Sequence, residues 1–450
     1  LLHKCFKGII TKILYEKMHK KSVSILIITI LLIPLFTGCV DEDKDSNKKP
    51  MVTINYPINN QKVSSLVIIS GISTDPDGDE DLAQVELKID DEKWLIVEGT
   101  TKWSYDWNVF ELKDGTYNIS ARSWDGKDYS EVQTISIEVE NPVTVETDSH
   151  KWAIFVAASN FPIDNESKLG NGGLYLAEEI AAHFIENFNY ATSNIIILFD
   201  DGWLRDNNGY GKKIKTLQER SHEYDITYGS ATKNNVINSI NHVINESNNY
   251  RDSEIFLWIF NHGYGNINNT VTGGKLFERS QIFLWDDLLS DKELGDLLGP
   301  LKSTKVCIII DACFCGGFAD KTILDFPTSL MLRSGIPRSG RIVISGSSKF
   351  RTGYASTTQG PLFTLLWFEG MKTGDADGFK PGLFKMGRPT LLRFFKNGKT
   401  SVEEAFYYAR YTLRTDEHYK EFSSMQPQIT DRYPLRGRFL SYREMILGED

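Results

Sequence analysis

The chain has no excess of positive charge: 450 residues hold 50 Lys and Arg against 60 Asp and Glu, a formal charge of −10. Nucleic-acid affinity rests on cations that neutralise phosphates, so no nucleic-acid partner is expected. Cysteine is scarce. Cys5 and Cys39 lie near the start, and Cys307, Cys313 and Cys315 cluster in the body. An odd, closely spaced set of three is not a disulfide framework, and a reactive thiol is the simpler reading. Long apolar runs are nearly absent too. The one present, residues 23–36, is short for a membrane span.

That run follows the basic lead His19-Lys20-Lys21 and precedes Thr37-Gly38-Cys39, which is a secretory signal pattern. The small residues before Cys39 resemble a lipoprotein processing box, with Phe36 where Leu is usual. In such a box the thiol is lipidated and its residue becomes the new N-terminus. The alternative is an uncleaved membrane anchor. Met18 directly precedes the basic lead and is the expected start of the leader, which spans 1–39. Removing residues 1–38 takes away six Lys and one Glu and leaves a net charge of −15. Residues 40–49 read as a charged tether too polar to pack. The remainder is expected to be extracytoplasmic and membrane-anchored at the cell surface. With 41% hydrophobic and 12% aromatic residues, it can bury two cores.

Between 50 and 141, short alternating apolar segments (52–56, 66–72, 85–89, 94–97, 117–122, 134–139) are separated by Gly, Asp and Asn turns. This spacing predicts an all-β antiparallel sandwich. Asp114-Gly115-Thr116-Tyr117 followed by Ile119, Ala121 and Ser123 resembles the late hairpin of bacterial and archaeal Ig-like modules. The resemblance implies a tyrosine corner at Tyr117. No Cys pair staples this region, so Trp94, Trp103, Trp107 and Trp124 are expected to fill its core. The loop 75–81 places five carboxylates in seven positions. Asp75, Asp77, Asp79 and Asp81 are therefore candidate calcium ligands; the alternative is a solvated acidic turn, since EF-hand spacing is missing.

From about 150 to 441 the pattern alternates strand and amphipathic helix. Strands are expected at 152–158, 195–199, 255–261, 305–310 and 341–345, and helices at 174–188, 234–245, 291–298, 362–371 and 402–413. Such alternation predicts an α/β domain with a mostly parallel sheet and helices on both faces. Active residues of such sheets gather at the carboxyl ends of strands.

Two strands end in chemically loaded sequence, one in Asn261-His262-Gly263 and the other in Asp311-Ala312-Cys313-Phe314-Cys315-Gly316. If parallel neighbours, they deliver His262 and Cys313 to one edge. A thiol is mostly protonated near neutrality and needs an adjacent base or a cationic His. His262 can take the thiol proton and return it to a leaving amine. The N–H groups of Gly263 and Cys313 would form an oxyanion hole, worth ~3 kcal/mol per donor. No cofactor is required for this chemistry, and the implied partner is a peptide or protein substrate.

These motifs resemble the caspase-fold cysteine peptidases, among them legumains, metacaspases, gingipains and clostripain. The segments Trp152-Ala153-Ile154-Phe155-Val156-Ala157 and Ile342-Val343-Ile344-Ser345-Gly346-Ser347-Ser348 are similar to the family's first strand and its pocket strand. The resemblance implies a caspase-like sandwich and a specificity pocket lined by Asp311, Ser345 and Ser347. An acid at 311 suits Arg or Lys in the substrate. Legumains accept Asn beside such an acid by balancing it with an Arg, and here no Arg lies between 159 and 188. Lys349 and Arg351 would oppose a basic preference if they pointed inward. The resemblance also implies self-cleavage in an exposed basic loop, read at Arg333, Arg338 and Arg341. Cys307 and Cys315 read as structural. The expected activity is endopeptidase cleavage after Arg or Lys. The alternatives are a legumain-like Asn/Asp protease or transamidase, and a non-enzymatic surface adhesin.

Overall fold

A computed structural model describes residues 47–64, 66–110, 112–160, 167–265, 278–321, 333–381, 388–389, 396–434 and 444–449. The leader, with Met18 and Cys39, lies outside the described residues. Among the described residues no helix is long and apolar enough to cross a membrane.

Period-two alternation builds the first unit. In Leu66–Thr74 every second side chain is buried, and the strand pairs antiparallel with Met51–Tyr56 and Lys102–Asn108. A second sheet runs in the order Lys62–Val63, Gln133–Val139, Gly115–Trp124, Gln84–Ile89, Leu95–Ile96. Inward side chains such as Val67, Ile69, Trp103 and Trp107 meet Val85, Leu87, Ile119 and Ile137 between the sheets, the packing of a β-sandwich. Tyr117 Oη donates to the Lys113 carbonyl at 2.9 Å, closing the expected tyrosine corner. The strand Lys102–Asn108 was not foreseen, although Trp103, Tyr105 and Trp107 alternate with Ser104 and Asp106 along it.

Two of the four tryptophans depart from expectation. Trp103 and Trp107 are core, but Trp94 and Trp124 are only half-buried. The Arg122 guanidinium lies 4.3 Å from the Trp94 ring and 3.9 Å from Tyr129, so Trp94 serves as a cation–π partner, and Trp124 packs on the Tyr129 ring at 4.5 Å. The acidic loop is closed largely by its own backbone. Asp75 Oδ1 accepts from Asp77 N, Asp79 Oδ1 from Asp75 N, and Asp77 Oδ2 from Lys48 N. Among the described residues no three His, Cys, Asp or Glu converge to hold a metal ion. Asp75, Asp77 and Asp79, of the four expected calcium ligands Asp75, Asp77, Asp79 and Asp81, thus each give one carboxylate oxygen to a backbone amide.

The second unit is a seven-stranded sheet ordered Thr227–Gly229, Ile195–Phe199, Lys151–Ala157, Glu254–Phe260, Lys305–Asp311, Arg341–Ser345, Gln428–Asp431. All neighbours are parallel except the last pair. The inner strands are buried along their whole length, as continuous apolar runs covered on both sides should be. Helices Gly172–Phe188, Leu362–Thr373 and Val402–Thr415 supply one core face, and Lys233–Ser247 and Asp291–Leu297 the other. The short edge strands Thr227–Gly229 and Gln428–Asp431 were not anticipated.

At the amino edge, Glu254 and Lys305 are register partners and their side chains form an ion pair at 2.6 Å. Glu254 also accepts from Tyr190 Oη at 2.6 Å and from Gly448 N at 3.0 Å. Residues near 448 thus cap the far ends of the two central strands. Replacing Trp103 by Ala should cost about 3–5 kcal/mol by emptying a core site. Urea unfolding followed by circular dichroism checks this; a change below about 1 kcal/mol would contradict the assigned packing.

Candidate active site

The first strand, Lys151–Ala157, has one neighbour that follows it directly in sequence, Ile195–Phe199, and a later one, Glu254–Phe260, on its other side. The sheet order reverses here, and in open α/β sheets ligands bind at such a reversal, beyond the carboxyl ends. Phe260 pairs with Asp311 in parallel register, so the chain segments leaving these strands, 261–263 and 312–313, emerge side by side. They touch: a Cβ on Gly263 would lie 1.7 Å from the Cys313 carbonyl oxygen. Only glycine permits this approach.

Both segments are held from below. Gly263 bridges Ile282 antiparallel, Phe283 N donates to the His262 carbonyl at 3.0 Å, and Asn261 Nδ2 donates to the Phe283 carbonyl at 2.8 Å. After Cys313 the chain turns through Phe314 at φ 57° into a short 3₁₀ turn, Cys315–Ala319. Ser280 Oγ donates to the Phe314 carbonyl at 2.7 Å and accepts from Gly317 N at 3.1 Å.

His262 Nε2 lies 2.6 Å from the Ser167 carbonyl oxygen. A carbonyl can only accept, so the proton sits on Nε2 and Nδ1 keeps the lone pair. Around the sulfur, Gly353 N approaches to 3.3 Å, and the N–H groups of Gly263 and Cys313 itself also favour the thiolate. Burial nevertheless dominates and pushes the Cys313 thiol up, with the nearby Asp311 charge adding to it. Burial likewise lowers His262, against the opposing pull of the Ser167 carbonyl. Both shifts favour the uncharged forms, the thiol and the neutral imidazole. Desolvation of both groups thus favours the base form of His262 among the two roles the sequence left open.

The anticipated pocket residues are all buried. Asp311 is 1% exposed; its Oδ2 accepts from Thr364 N at 3.0 Å and Thr364 Oγ1 at 2.8 Å, and burial raises its pKa to about 6. A Cβ at Gly346 would come 2.1 Å from Asp311 Oδ1, so glycine leaves room over that oxygen. Ser345 and Ser347 are fully buried, and Ser347 Oγ donates to the Ala312 carbonyl at 2.6 Å. Ser347 thus supports the cysteine segment from inside. Lys349 is buried too, and its Nζ donates to the Glu278 carbonyl at 2.6 Å.

Arg341 overturns the reading of 333–341 as an exposed basic loop. It is 2% exposed and caps the carbonyls of Ile336, Leu298 and Leu301, while Arg333 and Arg338 remain exposed. Cys315 is buried, with its sulfur near Ser347 and the Ile310 carbonyl, and burial raises its thiol to about 11. Cys307 is buried mid-strand, and both cysteines are free. Sequence reasoning missed Ser167, Gly353 and Ser280. The first two act through backbone atoms, which no side-chain motif reports.

Residues 50–121 match the family model of the Bacterial Ig domain. No curated protein matches the chain. Among solved structures, it is similar to caspase-1 from Spodoptera frugiperda, at 12% identity and TM-score 0.32, covering 64% of this chain and 92% of that one. It is also similar to an endo-beta-1,4-mannanase from Thermotoga petrophila, at 13% identity and TM-score 0.19, covering 22% of this chain and 21% of that one. A third is the PKD domain of an M14-like peptidase from Thermoplasmatales archaeon SCGC AB-540-F20, at 21% identity and TM-score 0.17, covering 21% of this chain and 98% of that one. The chain thus spans about a fifth of the mannanase's length. Identities and scores this low transfer no activity.

The neutral resting pair makes a direct prediction. Iodoacetamide should label Cys313 and spare Cys307 and Cys315 in the native chain, with a rate that climbs toward alkaline pH as the thiol ionises. Peptide mapping by mass spectrometry reads both. A rate plateau extending down to pH 5 would instead reveal a preformed thiolate–imidazolium pair.

Proposed function

We propose that the chain is an exported cysteine endopeptidase with Cys313 as nucleophile and His262 as general base. The observation that carries this reading is one arrangement at the carboxyl edge. The tautomer-fixed His262 and Cys313 lie on adjoining strand ends, with backbone N–H groups gathered at the sulfur.

The chemistry follows from those groups. As Sγ attacks a peptide carbonyl, its proton passes to His262 Nδ1 and the carbonyl π electrons move to oxygen. The N–H groups of Gly263 and Cys313 are suited to accept that oxyanion. Collapse breaks the C–N bond, His262 protonates the departing amine, and a thioester remains on Cys313. Water, deprotonated by His262, then attacks the thioester and releases the acid. An amine in place of water would make the same site a transamidase.

We assign the preference to Arg or Lys at the residue preceding the cut. Asp311 supports it as a buried acid that ionises above about pH 6, and Lys349, the nearest foreseen counter-charge, is committed to the Glu278 carbonyl. The basic lead, the apolar run and Cys39 support export and lipid attachment, with the Ig-like unit between membrane and peptidase.

A peptide-library digest with the full chain tests the reaction. Cys313→Ala and His262→Ala should each lower kcat by about 10³-fold or more while the fold persists. Cleavage that survives Cys313→Ala would exclude the mechanism, and cuts after Asn or Asp would exclude the basic preference. Product analysis with added hydroxylamine separates hydrolysis from amine transfer. In a second experiment, Cys39→Ala should shift the protein from the membrane fraction to the soluble one; unchanged fractionation would rule out lipidation.

A further inference from the structure

The His262 tautomer depends on one carbonyl, that of Ser167, and the hydrogen bonds around Ser167 lead to a buried acid outside the dyad. Residues 167–171 are fastened to the end of the first strand at two points. Leu169 N donates to the Ser159 carbonyl at 2.7 Å, and Gly170 N donates to Asn160 Oδ1 at 3.1 Å. Gly170 adopts φ +71°, and a Cβ there would strike the Thr357 carbonyl at 2.4 Å, so this turn has little freedom. Asn160 is itself 1% exposed, and among the described residues its backbone N–H and Nδ2 both donate to one side chain. Asp200 Oδ1 accepts from Asn160 N at 3.1 Å, and Asp200 Oδ2 accepts from Asn160 Nδ2 at 2.5 Å.

Asp200 is fully buried where the strand Ile195–Phe199 ends, and takes a left-handed φ of 42°. Its backbone donates to the Ala157 carbonyl and accepts from Ala231 N, which fixes it beside the end of the first strand. Its charged neighbours are few. Arg205, 4% exposed, lies 3.6 Å from Asp200 Oδ2 but makes its paired hydrogen bonds to Asp201, which also binds Lys213. A left-handed backbone at a non-glycine residue is a cost that surrounding structure must offset.

We propose that Asp200 is a positioning residue for the reaction at Cys313: by gripping both donors of Asn160 it sets residues 167–171, and so aims the Ser167 carbonyl at His262 Nε2. This inference rests on the peptidase reading above. Both Asp200 oxygens act as acceptors, so the grip is strongest when the carboxylate is charged. Burial raises Asp200 to about 7, against the opposing pull of Asn160 and Arg205. Below that pH the acid gains a proton and loses an acceptor. Above it the acid is ionised and holds Asn160 at both oxygens, so activity gains an acid limb near neutrality that belongs to neither Cys313 nor His262.

The experiment compares the full-length wild type with Asp200→Asn and Asn160→Ala, after circular dichroism establishes that each folds. Each variant should lower kcat at pH 8 by about ten- to a hundredfold through misaligned geometry, with KM within twofold and the limb near pH 7 gone. Wild-type kcat and an unchanged pH profile in a folded variant would overturn the proposal. Hydrogen exchange on the wild type decides the matter even if neither variant folds. Protection of the Leu169 and Gly170 amides, corrected for intrinsic exchange, should be higher at pH 8 than at pH 6; equal protection overturns it. If the wild type cleaves no peptide, the peptidase reading fails by itself. Iodoacetamide labelling of Cys313 then replaces cleavage, and a rate indifferent to Asp200→Asn counts against the proposal.

Discussion

The closeness with which the backbone at Gly263 approaches that at Cys313 governs the whole carboxyl edge. Two parallel strands in register bring the segments together, but only the missing side chain at 263 lets them touch. That contact aims the Gly263 N–H at the sulfur and puts the imidazole of the preceding residue next to it in sequence. The strand Gln281–Phe283 below and Ser280 under the cysteine turn have meaning because they hold these two backbones at one separation. Any larger residue at 263 would part them, and the fixed amide dipoles would no longer converge.

Burial then decides the electrical character of the pair. A solvated cysteine and histidine of opposite charge would attract, but desolvation penalises each charged form, and both groups shift toward neutrality. The arrangement stores little reactivity at rest. In the proposed reaction charge would develop only as a carbonyl arrives to receive the electrons, when the amides already pointing at the sulfur could also serve its oxygen. The same desolvation makes Cys315, two residues away, inert.

Much of this was legible in sequence because the chemistry-bearing side chains stand at the ends of apolar runs. His262, Gly263 and Cys313 could be read from strand endings alone, and the helices from their periodicity. Legibility failed where a residue acts through its backbone or where burial is set by distant parts of the chain. Ser167 contributes a carbonyl that any residue would carry. Arg341 sits among Ser, Gly and Pro, which read locally as a loop, yet it starts a buried strand and caps three carbonyls. Ser345 ends the strand next to the cysteine strand and pairs with Gln428 some eighty residues later, while Ser347 beyond it donates to the Ala312 carbonyl. The four loop aspartates suggested a cation, and their turn closes on its own amides.

The ion pair between Glu254 and Lys305 joins the starts of the same two strands whose ends carry His262 and Cys313. Gly448 supplies another of the Glu254 contacts. During synthesis the ribosome makes residue 448 well over a hundred positions after Cys313. Until then Glu254 is a buried acid short of a donor, and the central strands lack their brace at the amino edge. A nascent chain would thus hold a complete set of reactive side chains before it holds them still. A settled carboxyl edge would come late in the molecule's history, at a stage set by the order of translation.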